Sequence, residues 1–339
     1  MNNIFVYCEI SEGKIADVSL ELLTKGRGLS EQLGVDLEAV VIGSNLKGAE
    51  QELFSYGVKT AHFAEDSRLE FYQTLPHTKI ITAVFHEEKP QVVLFGATPV
   101  GRDLAPRIAS ALKCGLTADC TSLEIGEHYE KKTDTTYTNL LYQIRPAFGG
   151  NIVATIINPD TRPQMATVRE GVMKKEALKS PVKGKVKTWD TSKLLAKEDF
   201  VVEIIERHVE KKKSNIKGAQ IIVAGGYGVG SRENFGLLYE LAGVLGGEVG
   251  GTRAAVDAGY IEHDRQIGQT GVTVRPKLYI ACGISGQIQH RAGMMESSMI
   301  ISINTDPNAP INQIADYVIT GDFMEVVPKM IRYYKKNSK

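Results

Sequence analysis

Residues 278–294 read LYIACGISGQIQHRAGM, and this stretch decides the fold. Its first five residues form a continuous apolar run, as in a parallel strand buried on both faces. Gly283, Ser285 and Gly286 then break the run, and helical periodicity starts at Gln287. A strand that ends in small residues and opens into a helix aims bare backbone N–H groups at one point. That point attracts an anion, most often a phosphate. Gln289 and His290 fall on the first turns of the helix, beside whatever the turn holds. The pattern predicts a phosphate-bearing cofactor flanked by polar side chains.

Working outward, the same alternation fills the second half. Strand candidates cover 219–224, 248–249, 278–282, 299–303 and 317–320, and helices fit over 233–245, 287–294, 311–316 and 323–334. This predicts a small doubly wound domain of the Rossmann type, with ligands at the carboxyl ends of its strands. The first half also alternates, with strands over 4–10, 37–42 and 92–95 and helices over 16–33, 46–56, 71–88 and 102–112. That implies a parallel sheet covered by helices. Short strands over 138–145, 151–157 and 164–169 read as antiparallel additions to it. A lysine-rich stretch, 174–197, reads as a surface excursion, and 201–205 as the last strand of this half. The run RHVEKKKSN at 207–215 is charged and poor in core residues, the composition of a linker. The expected fold class is therefore α/β with two domains. Residues 1–207 form an N-terminal α/β domain and residues 208–339 a C-terminal Rossmann-like one. A small domain on a polar linker is expected to swing.

Composition agrees with two domains, since 339 residues exceed one compact core. Lys+Arg and Asp+Glu both number 40, so the chain lacks the basic excess that favours nucleic acid or anionic membranes. Cys8, Cys114, Cys120 and Cys282 form no CxxC pair, which argues against zinc and iron–sulfur sites. MNNIFVYCEI leads directly into a strand, without the pattern of a signal peptide, and no apolar run is long enough to cross a bilayer. The expectation is a soluble, cytoplasmic protein.

Gly225-Gly226-Tyr227-Gly228-Val229-Gly230 lies where a dinucleotide fingerprint would lie, but its spacing is GxGxG, not GxGxxG. The glycines either let a ligand approach the backbone or simply permit a tight turn. Gly246–Gly251 has P-loop glycine spacing without the phosphate-reaching lysine, so nucleotide hydrolysis is not expected. Arg253 follows a Gly-Gly turn at a strand end and is placed to point into the cleft, with a surface arginine as the alternative. Ile267-Gly268-Gln269-Thr270-Gly271 is a polar loop that offers a hydroxyl if it faces that cleft. Gly283-Ile284-Ser285-Gly286-Gln287 fails the GxSxG elbow of a serine hydrolase. His62, His77, His86, His128, His208 and His263 show no ligand spacing. Asn304 ends a strand at the cleft rim. Asp322 either accepts from a cofactor hydroxyl or caps the last helix.

Taken together, TRAAVDAG (252–259), GQTG (268–271), LYIACGISGQIQHRAGM (278–294) and INTDPNAPINQIADY (303–317) resemble the α subunit of electron-transfer flavoproteins. The resemblance covers the C-terminal half densely and the N-terminal half in layout. It implies one FAD held mainly by the C-terminal domain, and a heterodimer with a β subunit contacted by the N-terminal domain. It implies that Arg253 lies over the isoalloxazine ring, that Thr270 contacts flavin N5, and that Gln269, in the Ile267–Gly268 loop, sits beside the ring. Ser285, Gly286, Gln287, Ile288, Gln289 and His290 would wrap the cofactor, with His290 near the C2 carbonyl. Thr252 would approach the pyrophosphate, and Asn304 and Asp322 the adenosine. One position departs: many relatives carry arginine after the Gly-Gly pair, where this chain has Tyr227.

A fixed guanidinium near a flavin stabilises the ring that has gained an electron without a proton. At ~4 Å and an effective dielectric of ~20 the attraction is about 4 kcal/mol, which caps the potential shift at roughly 150–200 mV. His290 as a donor to the C2 oxygen would add to it. The protein tunes and the cofactor reacts, so no catalytic base is expected. Implied partners are an acyl-CoA dehydrogenase-type flavoenzyme or, in the bifurcating type, NADH and ferredoxin. The alternative is a nucleotide- or NAD-binding Rossmann module without a redox role. A hydride-transferring NAD enzyme lacks both fingerprint and base.

Overall fold

The computed structural model describes residues 2–146, 153–206 and 216–337, which fall into two compact units, the first ending at residue 206 and the second starting at 216. The linker run 207–215, with His208, lies outside the described residues, as do positions 151 and 152 of one expected strand.

The first unit opens with β1 (Ile4–Cys8), the small hairpin β2 (Ile10–Ser11) and β3 (Lys14–Ile15), and α1 (Asp17–Leu33). β4 (Leu37–Gly43), α2 (Ala49–Ser55), β5 (Thr60–Glu65), α3 (Thr74–Glu88), β6 (Val92–Gly96) and α4 (Pro99–Leu112) continue it. β7 (Leu116–Cys120), β8 (Ser122–Glu130), β9 (Thr135–Pro146), β10 (Val153–Ile156), β11 (Gln164–Val168), β12 (Lys185–Thr188) and the short α5 (Thr191–Leu194) complete it. The seven-stranded sheet runs β12-β5-β4-β1-β6-β11-β7, and β8, β9 and β10 form a separate antiparallel sheet. Side-chain alternation divides the core. Ile4, Val6 and Cys8 of β1 join one cluster, and Phe5 and Tyr7 the other.

Three sequence expectations for this unit are corrected. Residues 164–169 are not an antiparallel addition: β11 pairs parallel with β6 and β7, inside the main sheet. The lysine-rich stretch is not wholly an excursion, because Lys185–Thr188 pairs parallel with β5 as an edge strand, where lysines suit solvent exposure. Residues 201–205 form no strand and stand exposed. Strand propensity there finds no partner strand, and unpaired backbone does not make a sheet.

The second unit comprises β13 (Ile221–Gly225), α6 (Phe235–Leu245), β14 (Glu248–Gly251), α7 (Arg253–Asp257), β15 (Leu278–Cys282), α8 (Ile288–Arg291), β16 (Ile300–Asn304), β17 (Tyr317–Thr320) and α9 (Phe323–Asn337). Its parallel sheet runs β14-β13-β15-β16-β17. Val223, Ile280 and Ile303 pack under α6 and α9, while Ile222, Ala224, Tyr279 and Ala281 pack on the opposite face. Both faces are covered, which is why these strands are unbroken apolar runs. After β13 the chain goes out to the edge strand β14 and returns over β13 to β15. The carboxyl ends of β13 and β15 therefore flank the topological switch point, where such sheets bind ligands.

Candidate functional site

A cleft of about 1010 Å³ runs over the carboxyl ends of all five strands of the second unit. Thr252 and Arg253 enter it after β14, Gly226 to Gly228 after β13, Gly283 to Gln287 after β15, Asn304 to Asp306 after β16, and Gly321 and Asp322 after β17. The loop Gln266–Thr270 closes one side with Gln289 and His290 of α8. Of the candidates named from sequence, Thr252, Arg253, Ile267, Gly268, Gln269, Thr270, Ser285, Gly286, Gln287, Gln289, His290, Asn304 and Asp322 line this cleft, and Ile288 does not. Asp257, Thr305, Asp306 and Phe323 line it too. Asp257 was legible as the fourth residue after Arg253, on the same helical face.

The turn after β15 presents uncommitted backbone donors to the cleft. The backbone N–H groups of Ser285, Gly286 and Gln287 donate to no described residue, and Gly286 takes a left-handed φ of 83°. A Cβ there would lie 2.4 Å from the Ile311 nitrogen, so only glycine fits. The glycines after β13 serve the fold. Gly226 N donates to Cys282 O at 2.9 Å and Gly228 N to Gly283 O at 3.1 Å. A Cβ on Gly226 would fall 2.1 Å from Gly283 O. Here the tight-turn reading has its direct observation: two turns pack backbone to backbone.

The loop and α8 are tied together. Gln269 N donates to Gln289 O at 2.7 Å, and Gln266 Nε2 to Thr270 Oγ1 at 3.0 Å. His290 is buried, with Nδ1 3.0 Å from Ile267 O and Nε2 3.0 Å from the Tyr279 hydroxyl. A carbonyl only accepts, so Nδ1 carries the proton and Nε2 accepts from Tyr279. Burial pushes the ring down to about 4, so it is neutral at pH 7. With these partners the neutral ring has no free N–H, so donation to the flavin carbonyl expected from the sequence would take the place of one of these bonds. It is no base for Ser285 either.

Arg253 is exposed at the first turn of α7, with Nε 3.3 Å from Asp257 Oδ2. Thr252 Oγ1 caps the same helix by accepting from Ala255 N at 3.3 Å. Asn304 Nδ2 donates to Ile284 O at 2.8 Å. Asp322 Oδ1 accepts from Met324 N at 2.9 Å, so it caps α9 while lining the cleft.

Elsewhere, Glu38, His62 and Glu88 bring potential ligand atoms within 4.8 Å of one another. The Trp189 indole N–H donates to His62 Nδ1 at 3.1 Å, so the proton sits on Nε2 and faces Glu38 Oε2 at 2.5 Å. That ring has no lone pair left for a metal. Among the described residues no helix is long and apolar enough to cross a membrane.

An elongated cleft at a switch point, with free backbone donors at its middle, polar side chains at both ends and a guanidinium at one end, fits a dinucleotide with a planar head. The comparisons agree. Residues 4–194 match the electron transfer flavoprotein domain, and residues 215–295 the electron transfer flavoprotein FAD-binding domain. The chain is 47% identical over 335 residues to an electron transfer flavoprotein subunit alpha of Thermoanaerobacterium thermosaccharolyticum, covering 98% of each. It is 48% identical over 338 residues to that of Megasphaera elsdenii, covering 98% of this chain and 96% of the relative. It is 41% identical over 351 residues to an acryloyl-CoA reductase electron transfer subunit beta of Anaerotignum propionicum, covering 98% and 96%. The chain thus belongs to the electron transfer flavoprotein alpha-subunit family, and its cofactor is FAD.

Proposed function

We propose that this chain is the FAD-carrying subunit of a heterodimer, shuttling electrons between a β-subunit partner and a flavoenzyme that acts on acyl-CoA substrates. Residues 1–207 would face the β subunit and residues 208–339 would hold the cofactor. The observation that carries this is the meeting of free Ser285–Gln287 N–H groups, Arg253 and the Gln266–Thr270 loop along one cleft. FAD, when bound, accepts and returns electrons one or two at a time. The 285–287 turn would hold its pyrophosphate. Asn304 and Asp322 would hold the adenosine. Arg253 would place positive charge beside the ring system, with the Thr270 hydroxyl at hand for a proton-bearing ring nitrogen. The relative named as an acryloyl-CoA reductase subunit supports a CoA-thioester enzyme as acceptor. The finer reading is an NADH-dependent bifurcating complex with ferredoxin. Co-purification with the partner, followed by a visible spectrum and a flavin count, tests both. One flavin per heterodimer fits the ordinary carrier, and two fit bifurcation. A colourless heterodimer that cannot be reconstituted with FAD defeats the proposal. NADH oxidation that needs ferredoxin and a dehydrogenase together would establish the finer reading.

A further inference from the structure

We propose that Tyr227 and Tyr260 form a stacking shelf for the isoalloxazine ring, on the wall of the cleft that also carries Arg253. The inference rests on the reading of the cleft as the FAD site and adds a part to it. Tyr227 lines the cleft yet is 64% exposed. Its ring is not loose: it stacks on Tyr260 with centroids 5.9 Å apart and planes 25° from parallel. Tyr260 in turn lies 6.4 Å from Phe235, a buried core residue. A ring held from behind and open in front loses little freedom when a planar ligand covers it.

Position selects the part of FAD that it meets. The 227–229 turn packs against α7, which begins at Arg253 and ends shortly before Tyr260. Phenol and guanidinium therefore share one end of the cleft. Asn304 and Asp322, proposed to hold adenosine, follow β16 and β17, which lie two and three strands from β13. At about 4.8 Å per strand, that is roughly 10–15 Å away, so the adenine does not reach the shelf.

Charge gives the shelf its weight. Among the lining residues Arg253 is the lone fixed cation, against Asp257, Asp306 and Asp322, and it is already paired with Asp257. A dianionic cofactor gains little Coulombic attraction from such a cleft. Its affinity must come from backbone donors and from stacking on an uncharged ring.

The test uses the FAD-loaded heterodimer with Tyr227→Ala and Tyr227→Phe; an exposed side chain can be truncated without threatening the fold. FAD Kd and flavin fluorescence lifetime are measured together. A phenol in contact with the ring quenches its fluorescence by donating an electron to the excited state, which a phenyl ring cannot do. Tyr227→Ala should raise Kd roughly tenfold and lengthen the lifetime. Tyr227→Phe should keep Kd within about twofold and still lengthen the lifetime. An alanine variant with unchanged Kd and lifetime overturns the shelf. A raised Kd with the lifetime unchanged in both variants overturns its assignment to the isoalloxazine. A wild-type heterodimer that binds no FAD sinks the reading of the cleft itself, a failure visible before any variant is made.

Discussion

Replacing Arg253 with alanine should lower the potential at which the bound flavin takes its first electron, and the structure bounds how far. At ~4 Å a guanidinium stabilises a unit negative charge by about 4 kcal/mol at an effective dielectric of ~20, and by about 1 kcal/mol in bulk water. The Arg253 side chain is 71% exposed, and Asp257 stands 3.3 Å from its Nε. Water screens the charge and the carboxylate cancels part of its field, so the lower end applies. About 1–2 kcal/mol, at ~59 mV per 1.4 kcal/mol for one electron, gives a drop of roughly 40–90 mV. This is well under the ceiling set by the bare sequence, which showed the arginine without its counter-charge.

The same reasoning makes a second arm. Asp257→Asn removes the opposing charge and should move the potential upward, by roughly 20–50 mV under the same screening. An anaerobic reductive titration of the reconstituted heterodimer against a reference dye reads both. Arg253→Ala should keep most of its FAD, because the proposal assigns the holding of the pyrophosphate to the 285–287 turn. An alanine variant that retains FAD and titrates at the wild-type potential refutes the electrostatic role. A drop in Asp257→Asn would mean that the pair was misread.

Three further outcomes are expected. His290 is held near 4, below its ordinary 6.5, so its contribution is present above pH 6.5 and is lost as pH falls through 4; flavin release followed from pH 7 to 4 should rise across that window, and release independent of pH would contradict the burial argument. His77, pushed down to about 4 by burial in the first unit, makes flavin release a cleaner readout than global melting. Glu9 is pushed up to about 7 by burial, against the pull of the Thr98 hydroxyl that donates to it; its contribution is complete below about pH 4.5 and is lost as pH rises through 7, by at most about 3 kcal/mol. Glu9→Gln should therefore be more stable than wild type at pH 8 and alike at pH 4, as read from urea midpoints. Gly226→Ala should cost about 1–3 kcal/mol and weaken FAD retention, since its Cβ meets Gly283 O, whereas Gly243→Ala, in open space on α6, should gain roughly 0.5–1 kcal/mol.

The second sheet was legible because its strands are buried on both faces, so apolar runs such as Leu278–Cys282 stand out unbroken. β5 was missed because His62 interrupts its pattern. That histidine is tolerated in the core only through Glu38 and Trp189, partners from distant segments that no local window reveals. The direction of β11 was misread for a related reason, since parallel or antiparallel is decided by β6 and β7, not by the strand's own residues. β12 hid behind lysines that an edge strand carries at no cost. In the site, the positions at strand ends were readable, because the topology alone sends them to the cleft. The partners of His290 were not: one is a main-chain carbonyl and the other a core tyrosine that reads as strand.

The failed fingerprint has a physical explanation. In a dinucleotide fold the first strand-to-helix turn offers its N–H groups to the pyrophosphate. Here that turn follows β13, and Gly226 N and Gly228 N are already committed to Cys282 O and Gly283 O. Two donors tied into the neighbouring turn cannot also hold a phosphate, so nothing requires the GxGxxG spacing. Glycine is kept only where the two backbones touch. A run of three consecutive uncommitted donors lies one strand over, at Ser285, Gly286 and Gln287. On the function proposed above, the anion site lies across the switch point, in the turn after β15 and not in the turn after β13. That placement leaves the β13 turn free to present a side chain to the cleft, and the side chain it presents is Tyr227.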